Sequence, residues 1–88
     1  MKKVIEVIEV QGEGFEALLG KEVMVFCSNY IYLGTLVGVN ESFLKLENPS
    51  IVYETGPFSN SGYKDTQRLH TKEWYIQRQA VESFGVGK

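Results

Sequence analysis

Residues 18–40 read Leu18-Leu19-Gly20-Lys21-Glu22-Val23-Met24-Val25-Phe26-Cys27-Ser28-Asn29-Tyr30-Ile31-Tyr32-Leu33-Gly34-Thr35-Leu36-Val37-Gly38-Val39-Asn40. After Gly20 the hydrophobic period becomes two: Val23, Val25 and Cys27 alternate with Glu22, Met24 and Phe26, which is the signature of a strand with one buried face. Ser28-Asn29 is a turn signal. Residues 30–39 form a second strand, whose alternation puts Ile31, Leu33, Val37 and Val39 on one face and Gly34 and Gly38 on the other. Glycine weakens a flat strand, so the pair marks a sharp bend of the kind found at a barrel corner.

Upstream, Phe15, Leu18 and Leu19 share one side of a short run of helix formers. That run is a short helix ended by Gly20, which tolerates the left-handed conformation of a C-terminal cap. Residues 3–10 carry apolar side chains at 4, 5, 7, 8 and 10, spacings that suit a helix face as well as a strand. The β-branched content favours a strand. Residues 1–12 are thus an extra N-terminal strand or arm.

Downstream, Asn40-Glu41-Ser42 is the next turn. Residues 43–46 follow as a strand, Pro49 imposes an edge, a bulge or a break, and residues 51–53 resume. Residues 54–68 are rich in Gly, Ser, Asn, Pro and charge and read as one long loop. Residues 70–77 are a strand with Trp74 and Ile76 on one face, residues 80–84 a last short strand, and residues 85–88 a tail. The sum is a helix followed by five short strands in a single domain spanning residues 1–88, at spacings suited to a small barrel.

Bulk properties agree. A chain of 88 residues buries only about 60–65% of the surface its unfolded form exposes, so it gains from oligomerising. The net charge of −2 gives no strong pull toward nucleic acid, yet the distribution is uneven. Residues 4–54 hold eight acids and two bases, whereas Lys64, Arg68, Lys72 and Arg78 face only Asp65 and Glu73, with His70 among them. An anionic partner is expected at the second region. Cys27, the one cysteine, sits in an apolar run and reads as a buried small hydrophobe. One Cys and one His cannot build a zinc site within a chain. Glu6 and Glu9 interrupt anything resembling a signal peptide. No apolar stretch approaches the ~20 residues of a membrane helix. The expectation is a cytoplasmic protein without membrane partner, metal, cofactor or small-molecule substrate. No nucleophile–base arrangement, phosphate loop or carboxylate pair supports an enzyme.

The stretch from Leu18 to Asn40 resembles the Sm and Sm-like (LSm) family, including its bacterial Hfq branch. The family's first motif begins with a helix ending in Leu-x-Gly-Lys/Arg, then alternating valines, then Tyr-x-Gly-x-Leu-x-Gly-hydrophobic-Asp. Leu18 to Val25 and Tyr32 to Asn40 follow that order, with Asn40 in the Asp position. The second motif, hydrophobic-Ile-Arg-Gly-Asn-x-Val, is matched in frame by Tyr75-Ile76-Gln77-Arg78-Gln79-Ala80-Val81, where Gln77-Arg78 replaces Arg-Gly. The resemblance covers residues 15–84 except the loop at 54–68. It implies an Sm-like (SH3-like), five-stranded, strongly bent antiparallel barrel with a short N-terminal helix. It also implies a homo-oligomeric ring of about five to seven copies, since a closed ring satisfies every open strand edge.

In the family the fourth strand of one subunit pairs with the fifth of the next. That would make residues 70–77 and 80–84 the interface, with Trp74, Tyr75, Val81 and Phe84 packing there or, alternatively, in the chain's own core. The family binds single-stranded RNA at the pore with the loop after the second strand and the turn before the fifth. The recipe is an aromatic to stack a base, an amide to read it and an arginine for stacking or phosphate. Here those places hold Asn40, Phe43, Gln77 and Arg78. Each also has a plainer role: turn residue, core residue, strand residue, ion-paired surface residue. Phe43 and Leu44 stand where the family's base-reading Asn is expected, and Glu41 adds negative charge. Lys64, Arg68, His70 and Lys72 make a second anion-attracting surface or simply keep a loop solvated. Three functions follow: an RNA-binding ring acting as scaffold or chaperone, a structural or protein-interaction ring without RNA, and a monomeric SH3-like barrel that binds a protein.

Overall fold

The structure, a computed structural model, describes residues 14–87. The expected strand or arm at 3–10 lies outside the described residues. The alternation after Gly20 becomes β1 (Glu22–Cys27), with Val23 and Val25 buried and Met24 and Phe26 on the other face. Before it, the expected helix is a single 3-10 turn at Glu16–Leu18. The run between Gly14 and Gly20, both at positive φ, is too short to repay the nucleation of an α-helix. Gly20 N–H then donates to Leu36 O at 2.7 Å and Leu36 N–H to Lys21 O at 3.0 Å, which ties the chain to the sheet.

β2 (Ile31–Val39) pairs antiparallel with β1, and Cys27 N–H donates to Tyr30 O at 2.9 Å across the expected turn. Its faces are the reverse of the simple reading. Gly34 and Leu36 are buried, while Val37 is exposed. Gly34 points inward because β3 crosses it closely: a Cβ there would meet Glu47 O at 3.0 Å and Leu46 Cβ at 3.1 Å. The register then slips. Leu36 pairs with Leu46, but Gly38 pairs with Lys45 and Val39 with Leu44. The extra residue, Val37, is a bulge that flips the remaining face, so Val39 returns to the core.

β3 (Phe43–Glu54) runs through Pro49 without a break. The proline is accommodated by a second bulge. Leu33 pairs with Ser50 and Thr35 with Glu47, and Asn48 takes φ +52°. Pro49 is fully buried there. One edge of β3 faces β2. The other is shared: Ser50 to Glu54 pair with β4 (Asp65–Arg68), and Phe43 to Glu47 with β5 (Glu73–Gln77). Between β4 and β5 the chain turns away opposite the bulge, with Leu69 N–H donating to Pro49 O and Asn48 N–H to Lys72 O, both at 2.9 Å. The expected loop at 54–68 therefore contains a strand, and the expected strand at 70–77 starts only at Glu73, leaving His70 and Lys72 in the turn. All four β4 side chains are exposed, so no buried alternation marks it.

A 3-10 turn at Arg78–Ala80 leads into β6 (Val81–Val86), which pairs back onto β1. The sheet order is β4-β3-β2-β1-β6, with β5 beside β3. The fold is mainly β. It has six strands rather than five, and among the described residues no pairing joins β6 to β4 or β5, so the sheet is open. The core holds Val23, Val25, Leu36, Leu44, Leu46 and Ile76, flanked by Phe15, Leu18, Cys27, Tyr32, Val39, Trp74 and Val81. Each fully buried aliphatic side chain contributes about 1.5–3 kcal/mol. Among the described residues no helix is long and apolar enough to cross a membrane.

A candidate nucleic-acid interface at two adjoining turns

Asn40 ends β2, and its side chain organises the turn that follows. Asn40 Oδ1 accepts from Ser42 N–H and from Phe43 N–H, both at 2.7 Å. Two backbone donors that would otherwise rely on water are satisfied by one short side chain, the usual reason for Asn at such a position. The strand-closing bond Asn40 N–H to Phe43 O, at 3.0 Å, completes the turn.

The turn between β5 and β6 is fastened to it. Arg78 N–H donates to Ser42 O at 2.8 Å, and Arg78 Nη1 donates to Asn40 O at 2.7 Å. The guanidinium also lies 5.0 Å from the centre of the Phe15 ring, a distance at which the ring's negative face attracts it. Arg78 belongs to the 3-10 turn, not to a strand.

Phe43 and Gln77 are direct cross-strand partners, so the register brings all four sequence candidates, Asn40, Phe43, Gln77 and Arg78, to one end of the sheet. Phe43 is 41% exposed and meets Tyr75 edge-on, with ring centres 6.2 Å apart. Tyr75 is 57% exposed. Lys45, opposite Tyr75, places its ammonium 5.6 Å from that ring and 3.2 Å from Glu73 Oε2. The hydrogen bond to Glu73, and then its charge, push the Lys45 pKa up, so Lys45 stays cationic. The result is an outward pair of aromatic rings with the Lys45 ammonium beside it, whereas the Arg78 guanidinium lies over Phe15, which packs against the core. Glu41 is exposed in the same turn.

Lys45 and Tyr75, beside Phe43, and Phe15, under Arg78, are not among the sequence candidates for this site. Phe15 lies far upstream, and the other two enter only through the pairing of β3 with β5, which leaves no local signal. The second basic group stands at the other half of β3. Lys64 lies 3.8 Å from Glu54, and Arg68 Nη2 donates to Asn48 Oδ1 at 2.8 Å. His70 and Lys72 occupy the turn between β4 and β5, exposed. Arg68, His70 and Lys72 thus stand at the Asn48–Pro49 bulge in the middle of β3, and Lys64 at its far end. The candidate interface residues also separate. Trp74 packs on Tyr32 at 6.3 Å between ring centres, and Val81 packs against the core. Phe84 stacks on Phe15 at 4.0 Å while remaining 40% exposed, and Tyr75 projects outward.

No family model and no curated protein matches the sequence. Among solved structures, a chain of the NatC complex bound to CoA, determined by crystallography, is similar in fold. The TM-score is 0.59 over 96% of this chain and 91% of that chain, with 15% sequence identity. At that identity the likeness speaks for the fold alone.

Proposed function

We propose that the open, curved sheet is an Sm-like bent barrel, that copies of it close into a ring, and that the ring holds single-stranded RNA as a scaffold or chaperone. One observation carries the reading: the two turns that the sequence resemblance equates with the family's RNA-contacting loops stand side by side, fastened by Arg78 Nη1 on Asn40 O at 2.7 Å. Phe43 is presented beside them, able to stack a base. Ring closure is supported by the topology. Among the described residues β5 and β6 each pair along one edge, on β3 and on β1, and unpaired strand edges are templates for pairing with another chain. The reading gives the chain no catalytic role.

The test has two steps. Native mass measurement is expected to give a closed oligomer. Fluorescence anisotropy with labelled U-rich and A-rich oligonucleotides is then expected to show binding that weakens with salt. Phe43→Ala should lower affinity about 5–150-fold, the equivalent of one lost base stack, and Arg78→Ala should also reduce it. A salt-insensitive absence of binding at micromolar protein refutes the RNA function.

A second reading, a structural or protein-interaction ring without RNA, is favoured by specific contacts. The Lys45 ammonium is engaged by Glu73 and the Arg78 guanidinium by Asn40 O and Phe15. Under that reading the closed oligomer forms and both oligonucleotides stay free.

A further inference from the structure

A pocket of about 240 Å³ lies between β5 and the β1–β2 turn, two elements that no strand pairing joins among the described residues. Three aromatic side chains gather in its lining. Tyr30 and Tyr32 meet edge-on with ring centres 6.3 Å apart, and Tyr32 and Trp74 also lie 6.3 Å apart, with their planes inclined by 32°. Tyr32 and Trp74 pack against the core, which fixes two of the rings. Tyr30 sits in the turn and is 54% exposed, with Tyr32 as its aromatic partner. A ring left this open covers little core, yet it borders the pocket. Cys27 and the buried Ile76 add apolar lining, and no charged residue among the described ones lines the pocket. Burial pushes the Cys27 thiol up, so it stays neutral.

The face of an aromatic ring is the negative side of its quadrupole, so a cluster of three attracts a cation and repels an anion. Ring centres 6.3 Å apart let one cation lie within about 6 Å of two neighbours at once. The uncharged lining then selects among cations. A primary ammonium is strongly hydrated, and it would lose water here with no carboxylate in the lining to replace it. A methylated ammonium sheds water readily, and its methyl groups gain apolar contact from the same rings. The nearest charges in sequence are engaged elsewhere, Glu73 by Lys45 at 3.2 Å and Arg78 by Asn40 O at 2.7 Å. Pockets for drug-sized ligands run to about 300–1,000 Å³, so this smaller one suits a head group rather than a large molecule.

We propose that Tyr30, Tyr32 and Trp74 form a site for a methylated ammonium group, carried by a small quaternary amine or by a methylated lysine side chain of a peptide. The proposal goes beyond the RNA reading and does not depend on it.

NMR titration of the full chain tests it, following the indole signal of Trp74, the one tryptophan, and the backbone amides of Cys27 and Tyr30. The probes are tetramethylammonium, choline, the uncharged isostere of choline with carbon in place of the charged nitrogen, and one lysine peptide in unmodified and trimethylated forms. Tetramethylammonium and choline should move these signals saturably. The uncharged isostere should bind about 2–30-fold more weakly than choline. Tyr30→Leu should weaken choline by a similar factor with circular dichroism unchanged, and Tyr30→Phe, which keeps the ring face, should restore it. Tighter binding of the trimethylated peptide than of tetramethylammonium and of the unmodified peptide identifies a peptide as the source. Equal binding of the trimethylated peptide and tetramethylammonium identifies the small amine. The proposal is overturned if no probe moves the signals saturably, if the uncharged isostere binds as tightly as choline, or if Tyr30→Leu binds choline as the unaltered chain does.

Discussion

Replacing Gly34 with alanine adds one methyl group at the tightest crossing in the sheet. The new Cβ would lie 3.0 Å from Glu47 O and 3.1 Å from Leu46 Cβ, against ordinary van der Waals separations of about 3.5–4.0 Å. Neither neighbour can swing aside. One is a backbone oxygen held in β3, and the other belongs to a fully buried leucine. Relief requires β2 and β3 to move apart by several tenths of an ångström at the Asn48–Pro49 bulge, where Leu33 pairs with Ser50 and Thr35 with Glu47. Overpacking of this kind costs about 1–3 kcal/mol. A chain of this length has a total stability of about 4–13 kcal/mol. At a urea slope of about 1 kcal/mol per molar, Gly34→Ala should unfold at a urea concentration about 1–3 M lower. The control is Gly62→Ala, where a Cβ meets nothing within 4 Å, and whose change should stay within about 0.5 kcal/mol. Fluorescence of Trp74, half-buried against Tyr32, reports unfolding. Repeating the titration at two protein concentrations separates unfolding from subunit dissociation. Equal midpoints for the two variants, with unchanged slopes, would refute the close crossing of β2 and β3.

Other outcomes follow from the same contacts. Leu46→Ala, at a fully buried position, should cost about 2–5 kcal/mol in the same urea titration. Asn40→Ala removes the acceptor of two backbone N–H groups and should cost about 0.5–2 kcal/mol, whereas Asn40→Asp, which keeps the acceptor, should recover most of it; thermal melts distinguish the two. Burial raises the pKa of the Cys27 thiol and of the Tyr32 and Tyr63 hydroxyls, Tyr32 being raised further by Cys27 and Tyr30. The folded chain therefore holds these protons more tightly than the unfolded one, so their stabilisation is complete below the ordinary thiol value of 9.0 and fades as pH rises through the raised values. Urea midpoints should fall in the alkaline range, with the earliest part of the fall absent in Cys27→Ala.

The strands that carry one buried face were legible in the sequence. Val23 and Val25 declare β1 by alternation, and Ser28-Asn29 and Asn40-Glu41-Ser42 mark turns because those side chains satisfy local backbone groups. What could not be read depends on two strands at once. Alternation places Ile31, Leu33, Val37 and Val39 on one face of β2, yet Gly34 and Leu36 are the residues buried, and Val39 alone of the four packs against the core cluster. A glycine belongs inside only because β3 passes over it, and nothing near Gly34 in sequence announces that. The slip at Val37 is a property of the register with Lys45 and Leu46. β4 was hidden because Asp65 to Arg68 are all exposed, leaving hydrogen bonding to β3 as its only signature. At the site, Asn40 was legible as a bracing residue, but Arg78 reaches Asn40 O across 38 positions, and Phe15 joins from the chain's other end.

The two bulges also account for the form of the free edges. The bulge at Asn48 and Pro49 bends β3 in its middle, and the strand on its far side cannot follow the bend. It divides into β4 and β5, held on either side of the bulge by Leu69 N–H on Pro49 O and Asn48 N–H on Lys72 O. Among the described residues, the straight edges left on that side are therefore short, four residues in β4 and five in β5. A pairing that short is weak alone, since an isolated two-stranded unit is at best marginally stable in water. Two consequences follow for the proposed ring. Side-chain contacts must supplement the backbone bonds, and closure must engage both edges of every copy, because an open chain of copies would keep two edges unpaired. A bend placed in β3 by one proline and one left-handed asparagine thus favours a closed assembly over an extended one, by making each single contact too short to persist without the rest.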